Sequence, residues 1–246
     1  MNLDEINKNW TDLGSSDPMW AILADPAKKG NRWSQEEFFE SGRQDIQKIL
    51  ERLKSAALPI SFGRALDFGC GIGRLTQALA EKFELVDGVD ISDSMINHAK
   101  KLNRFPNKAF YHLNKRADLS LFQSNQYDFI FTLICLQHMP RSLQQKYIGE
   151  FVRLLKPGVG VLYFQSIHGH SWRAYVPDWS ADLYRKFKHK GHAHIPLYGI
   201  PVNMVREQVR RAGGTVEKYD CPGFHDCKSS FKQDEYFVKK PASRNA

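Results

Sequence analysis

No stretch of this sequence is long and apolar enough to cross a bilayer. The longest apolar run, FIFTLICL from Phe129 to Leu136, falls far short of the roughly 20 residues a spanning helix needs. The opening residues, MNLDEINKNW, carry no apolar core of the kind that marks a secretory signal. Cysteine is scarce: Cys70, Cys135, Cys221 and Cys227 are the whole complement of 246 residues, and two of them fall in apolar or glycine-rich segments. That pattern argues against a disulfide framework and predicts reduced thiols in a cytoplasmic protein. There is no internal repeat and no low-complexity tract, and the composition excludes a disordered chain, a collagen and a coiled coil.

What is present is ordinary globular material, 42% hydrophobic and 25% charged. A chain this long buries about 70% of its unfolded surface, enough to fold without staples, as one large domain or two small ones. Residues 1–33 are irregular, hold Trp10, Trp20 and Trp33, and read as a surface-hugging leader. Ser34 and Glu37 then form an S-x-x-E capping box ahead of Phe39, Ile46, Ile49, Leu50 and Leu53 at helical spacing, closed by Pro59. From residue 64, short apolar runs at 64–68, 85–90, 109–113, 127–133 and 159–165 alternate with amphipathic segments around Leu75–Ala80, Met95–Leu102 and Leu143–Leu155. Residues 114–126 show no helix. Residues 166–200 break the rhythm with five histidines and two tryptophans and read as an insertion or cap. Pro201 opens a further helix with Val202, Val205 and Val209 on one face, ended by Gly213-Gly214, and two strands follow at 215–221 and 234–239. The β–α alternation predicts an α/β fold, doubly wound, with a mostly parallel sheet and helices on both faces.

The most informative stretch is LDFGCGIGRLTQALA, residues 66–80, which runs strand, glycine loop, helix. Gly69, Gly71 and Gly73 stand where a backbone must turn through positive φ or let a ligand lie against it. A helix N-terminus after such a loop attracts an anion. Arg74 occupies the place where a dinucleotide fingerprint needs its third glycine, and a G-K-[ST] ending is absent. Asp67 before the loop and Asp90 at the end of the second strand give the spacing its meaning, because a carboxylate at that tip can accept both hydroxyls of a ribose.

With VDGVDISDSMINHAK, YDFIFTLICLQHMP and EFVRLLKPGVGVLYFQ, this stretch resembles the class I S-adenosylmethionine-dependent methyltransferases of the type 11 group, over roughly residues 64–165. The resemblance implies a Rossmann-like sheet of seven strands in the order 3-2-1-4-5-7-6. It implies a methyltransferase domain at 60–246, carrying the insertion at about 166–200, behind a leader and cap helix at 1–55. It implies that Asp67 and the loop Gly69, Cys70, Gly71 and Gly73 hold the methionine moiety of the cofactor, that Asp90 binds the ribose diol, and that Ile91 and Met95 flank adenine. The family often has an Asp at the adenine edge; here the sequence reads HLNKRADL, which leaves Asn114, Lys115 and Arg116 as alternatives. Thr132 and Leu133 would line the methyl-transfer side, and Trp33, Phe38, Phe39 and Arg43 would fold over the cofactor or simply pack the leader helix.

Methyl transfer needs a nucleophile held in line with the sulfonium, and a base where the acceptor must lose a proton. His138 after the fourth strand is the first candidate base and His168 after the fifth is the second; each could equally be a capping or hydrogen-bonded structural histidine. The [DN]-P-P-[YF] motif of exocyclic-amine methyltransferases is replaced by TLIC. His168-x-His170 and His192-x-His194, with Cys221, Cys227 and His225, lack the spacing of a zinc site, so no metal is expected. Trp172 and Tyr175 could wall a pocket for a small-molecule acceptor. The alternatives are an RNA or protein acceptor, or a protein that binds S-adenosylmethionine without catalysis. The net charge of +8 bears on the first: residues 168–246 hold 14 Lys and Arg against 8 Asp and Glu, densest in RKFKHKGHAH, which suits either an anionic acceptor or a solvated basic face. No RNP-like motif accompanies it.

Overall fold

The computed structural model describes residues 2–169, 197–221 and 231–242. Its seven strands form one sheet in the order β3-β2-β1-β4-β5-β7-β6, the order the resemblance implies: β1 Arg64–Phe68, β2 Leu85–Asp90, β3 Ala109–Leu113, β4 Phe129–Thr132, β5 Val161–Gly169, β6 Thr215–Asp220 and β7 Phe231–Lys239. Seven α-helices accompany them among the described residues: α1 Leu3–Ser16, α2 Pro18–Ile22, α3 Gln35–Ser55, α4 Arg74–Ala80, α5 Asp93–Lys101, α6 Arg141–Leu154 and α7 Val202–Arg211. The chain divides into two compact units, one of residues 4–116 with 127–131 and one of residues 1–3, 117–126 and 132–246.

The first unit is parallel. β2 pairs with β1 and β3, and β1 with β4, all in the same direction. Strands buried on both faces lose the alternation of half-exposed ones: FIFT is buried throughout, and RALDF is buried from Ala65 on with the acid Asp67 among its apolar residues. Below the strand tips one buried carboxylate ties the strands together. Asp87 accepts from Arg64 Nε at 2.7 Å and from the Tyr127 hydroxyl at 2.9 Å, and its second oxygen lies 2.7 Å from His112 Nε2. Burial works against its charge, but the bonds from His112 and Arg64 outweigh burial and hold its carboxyl below the usual carboxylate range.

The leader is built by capping. Asp17 accepts from Trp20 N at 3.4 Å, from Gly30 N at 2.7 Å and from Asn31 N at 2.9 Å, so one side chain starts α2 and anchors the turn that leads to α3. Pro18 then stands in the first turn, where its missing N–H costs nothing. Ser34 caps α3 by accepting from Glu37 N at 3.2 Å, as the capping box predicts. Phe38, Phe39, Ile46, Ile49 and Leu53 form the buried stripe of α3, which packs against α4 so closely that a Cβ on Gly42 would collide with the Arg74 carbonyl. Arg74, 3% exposed, completes that contact through Asp45 at 2.8 Å and Ser41 at 3.1 Å.

The second unit is antiparallel. β7 runs against β5 from Val161↔Lys239 to Gly169↔Phe231 and against β6 with a bulge between Val216 and Lys218. β5 continues through Gly169, past the apolar pattern that ends near Gln165. Phe164 stacks on Tyr236 at 4.8 Å and Tyr163 meets Phe237 edge-on at 5.1 Å, so aromatic cross-strand pairs supply its core. Residues 197–200 knit into it: Tyr198 N donates to Gln137 O at 2.7 Å and Ile200 N to Ile167 O at 2.8 Å.

Candidate cofactor site

β1 delivers Asp67 and Phe68 to the glycine loop. Gly69, Gly71 and Gly73 take φ values of 76°, 53° and 87°, the left-handed region that side chains disfavour. Gly69 N and Cys70 N both donate to Val89 O, at 2.8 and 3.1 Å, which draws the loop against β2. A Cβ on Gly73 would collide with the Tyr111 hydroxyl, and one on Gly71 would sit 2.5 Å from Ile22 Cδ1. Cys70 is 5% exposed, its thiol 3.6 Å from the Gly71 carbonyl.

Two acids flank the loop and differ in what holds them. Asp67 is 1% exposed; burial pushes its carboxyl up to about 6, against the pull of the Thr76 hydroxyl bonded at 2.6 Å and of the Arg74 charge. Asp90 is half-buried at the tip of β2. Its Oδ2 accepts from Gly71 N and its Oδ1 from Ser92 N, each at 2.9 Å. Burial raises its pKa and those backbone N–H groups oppose the rise. Each carboxylate oxygen keeps a second acceptor position, so the pair can still receive two hydroxyls.

At the tip of β3, Asn114 N donates to Asp90 O at 2.9 Å, and its side chain, 6% exposed with the residue, accepts from Arg116 N at 3.2 Å. Lys115 instead pairs with the Asp93 carboxylate at 2.5 Å on the first turn of α5. The structure thus ties Asn114, rather than Lys115, to the strand carrying Asp90.

The leader lies on the loop and on the start of α5. Ser94 Oγ donates to Thr11 O at 2.9 Å, and Ala21, Phe38, Phe39, Ile72 and Met95 form one buried cluster against which Ile22 and Trp33 pack. Met95 is 1% exposed within it, while Ile91 is partly open. Trp33 donates to Leu23 O at 3.2 Å and meets Phe38 edge-on. Arg43 is not brought to the loop. It binds Glu81 at 2.7 Å and Glu40 at 2.6 Å, and Glu81 ends α4, whose length puts it about 10 Å from the glycines.

The second unit carries the remaining candidates. Thr132 is 1% exposed and its hydroxyl has no partner among the described residues; Leu133 beside it is partly exposed. His138 is 8% exposed in the short 3-10 turn Leu136–His138. His168 keeps 24% of its side chain exposed, with Nδ1 2.6 Å from the buried Asp234. Trp172 and Tyr175 lie outside the described residues, as do His170, His189, His192, His194, His225 and Cys227. Among the described residues no group of three or more His, Cys, Asp or Glu is placed to hold a metal ion.

Several side chains at these positions were not legible in the sequence. Thr76, Tyr111 and Ile22 reach the loop through tertiary packing that no spacing encodes. Asp17 was readable as an Asp-Pro helix start, but its hold on residues 30–31 was not. Asp234, partner of His168, lies 66 residues further along the chain.

The arrangement fits S-adenosylmethionine. Three glycines turn the loop back against β2 with no side chain of their own, and Asp90 presents carboxylate acceptors bonded to that loop. Comparison with known proteins agrees. Residues 65–158 match the family model of a methyltransferase domain. A ubiquinone biosynthesis O-methyltransferase of Coxiella burnetii is 32% identical over 111 residues, 45% of this chain and 46% of that protein, so the chain spans about half the length of this relative. Its namesake from Thiobacillus denitrificans is 23% identical over 80% of this chain and 84% of its own. In fold, the crystal structure of magnesium protoporphyrin IX methyltransferase from Synechocystis PCC 6803 with bound S-adenosylhomocysteine superposes with a TM-score of 0.62 at 16% identity, covering 97% of this chain and 100% of that one.

Proposed function

We propose that this chain, whose residues 65–158 match the family model of a methyltransferase domain, transfers the methyl group of S-adenosylmethionine to a small-molecule acceptor by in-line displacement. The observation that carries this reading is the bond from Gly71 N–H into the Asp90 carboxylate. It makes the glycine loop and the strand-tip acid one rigid element, so that a ligand resting on the loop meets the acid at a fixed distance. When bound, the cofactor supplies an electrophilic methyl on a sulfonium. The chain's own part is to hold it: Asp90 on the ribose hydroxyls, the 69–73 backbone beneath the methionine end, Ile91 and Met95 beside adenine, and Asn114 at its edge. The leader, seated on Ile72 through Ile22 and Trp33, would exclude water from that pocket.

A small acceptor is favoured over RNA or protein because relatives matched in sequence are named for ubiquinone biosynthesis. Part of the charge that would favour RNA is paired locally: Arg210 and Arg211 both bind Glu207. Cys70, Cys135 and Cys221 form no disulfide among the described residues, which suits a cytoplasmic setting.

Asp90→Ala tests the cofactor half. Losing hydrogen bonds to a charged group weakens S-adenosylmethionine binding about ten- to hundredfold by calorimetry; an unchanged affinity refutes the assignment. Incubation of the protein with methyl-labelled cofactor and a cell extract, separated into metabolite, RNA and protein fractions, tests the acceptor half. The label is expected among metabolites, and label in the RNA or protein fraction overturns the small-molecule reading.

A further inference from the structure

The first unit carries a second cleft, lined by guanidinium groups and separate from Asp90. Arg74, Gln77 and Glu81 line it from one face of α4, since residues three and four apart on a helix are neighbours. α3 faces them with Phe39 and Arg43, and Arg104 closes the third side from the segment after α5. The free space is about 210 Å³, counting the solvent at the mouth.

Gln77 builds this cleft. It is 4% exposed; its Nε2 donates to Leu102 O at 3.0 Å and its Oε1 accepts from Arg104 N at 3.3 Å. The backbone of Arg104 is thereby fixed, and its guanidinium lies 5.2 Å from the centre of the Phe39 ring. Contact with an aromatic ring uses none of the five N–H donors of a guanidinium. Arg104 is exposed, and no carboxylate among the described residues pairs with it. Arg74 is the opposite case, 3% exposed at the base of the cleft. Its Nη1 holds Asp45 and Ser41, which already secures α4 to α3, while its Nε has no partner among the described residues. A buried donor on a charged group left without an acceptor is costly, and a purely structural arginine gives no reason for it. The carboxylate in the lining, Glu81, is answered by Arg43 at 2.7 Å and so does not turn an anion away. Lys108, with Nζ 3.4 Å from Ala80 O at the end of α4, adds positive charge beside it.

Two arginines with donors to spare, one at the mouth and one at the base, suit an oxyanion. A carboxylate is flat and its two oxygens match a single guanidinium fork. A phosphate monoester carries about two charges and three oxygens pointing in different directions, so one group can meet both arginines. The free space admits a phosphate with a short organic stem and not a nucleic-acid strand. We propose that this cleft binds the phosphate group of a small phosphate monoester, outside the cofactor site, and that its occupancy stiffens the glycine loop. The connection is direct. Arg74 follows Gly73 in the chain, and Phe39, beneath Arg104, shares one buried cluster with Ile72 of the loop and with Met95. A ligand that draws Arg74 and Arg104 together holds α3, α4 and the loop between them. The proposal does not rest on the methyl-transfer reading.

Calorimetry on the full chain without cofactor, at low salt, decides the binding. The probes are glycerol 3-phosphate, inorganic phosphate and succinate. Both phosphates are expected to bind with a Kd of about 1 mM or tighter, and succinate about tenfold more weakly or worse. Arg104→Gln, an exposed change that leaves the fold intact, is expected to weaken glycerol 3-phosphate about tenfold. Lys54→Gln, an exposed lysine of α3 outside the cleft, removes the same charge and is expected to change affinity less than about twofold. No saturable binding of either phosphate, succinate binding as tightly, or an Arg104→Gln variant with wild-type affinity overturns the site. Inorganic phosphate binding without glycerol 3-phosphate overturns the monoester. Amide hydrogen exchange decides the coupling. The Gly71 and Gly73 N–H groups, bonded to Asp90 Oδ2 and Cys70 O, are expected to exchange severalfold more slowly at saturating glycerol 3-phosphate. Unchanged exchange with the ligand bound overturns the link to the loop.

Discussion

Two loops that follow strands in this molecule solve the same backbone problem with different residues. After β1 the chain turns through left-handed conformations at Gly69, Gly71 and Gly73, where the missing side chain makes them cheap. After β4 it makes a left-handed turn at Ile134, where a branched side chain makes it expensive. The first loop keeps its cost in charge instead: Asp67, just before it, is a carboxylate sealed from water. One site is therefore relaxed in dihedral and stressed in electrostatics, the other the reverse. What a loop must present decides which: bare main chain after β1, a defined side-chain direction after β4.

The sharpest way to break the contrast is to make the first loop like the second. Gly73→Val forces a branched residue to φ 87° and into the Tyr111 hydroxyl. Left-handed strain and overpacking together predict a loss of about 3 kcal/mol or more in denaturant unfolding. A loss under about 1 kcal/mol would show that the loop relaxes freely and that its glycines are not conformationally required.

Next comes the charge. Asp67 titrates near 6 when folded and near 4 when unfolded. A raised acid pKa means stability is fully present below about pH 4 and lost as pH rises through 6, by roughly 3 kcal/mol at most. Asp87 has the opposite sign. Its lowered pKa contributes stability above its unfolded value that is lost as pH falls below about 4. Stability is thus expected to peak near pH 4 to 5 as far as these two groups decide it. Asp67→Asn is expected to flatten the decline between pH 4 and 6 and leave the acid side alone. An unchanged slope there would place the titration elsewhere. Thr76→Val removes the hydroxyl that pulls the Asp67 pKa down and is expected to cost about 1–2 kcal/mol, more at pH 7 than at pH 4.

The contrast also explains what could be read from the chain. The glycine loop, Asp67, Asp90 and the five leading strands were legible because each is a local pattern: a residue type whose backbone freedom or placement announces its use. β7 was legible only in part, since its pairing with β5 joins residues about 70 positions apart and aromatic stacking rather than alternation sets it. His168 could be named as a candidate from its place after β5, but its partner Asp234 could not. Ile134 carries no signal at all. Nothing in TLIC marks an isoleucine for a left-handed turn, because propensity favours the opposite. Arg43, one turn beyond Phe39 on α3, pairs with Glu81 at the end of α4, a partner that no spacing announces.

The smallest effect carries the most information about the second loop. Ile134→Gly relieves left-handed strain of about 1–2 kcal/mol and adds about 0.5–1 kcal/mol of unfolded-state entropy. Because Ile134 is 43% exposed, little apolar burial is lost. The net expectation is a gain of roughly 0.5–1 kcal/mol. A turn under strain for no purpose would have drifted to the relaxed residue at no cost to activity. If instead the strain holds the isoleucine against the acceptor, the variant becomes more stable and transfers methyl groups more slowly, with S-adenosylmethionine affinity unchanged. A variant that is less stable by 1 kcal/mol would mean that Ile134 packs in the folded protein more tightly than its exposure indicates, and the contrast between the two loops would then be one of packing rather than of strain.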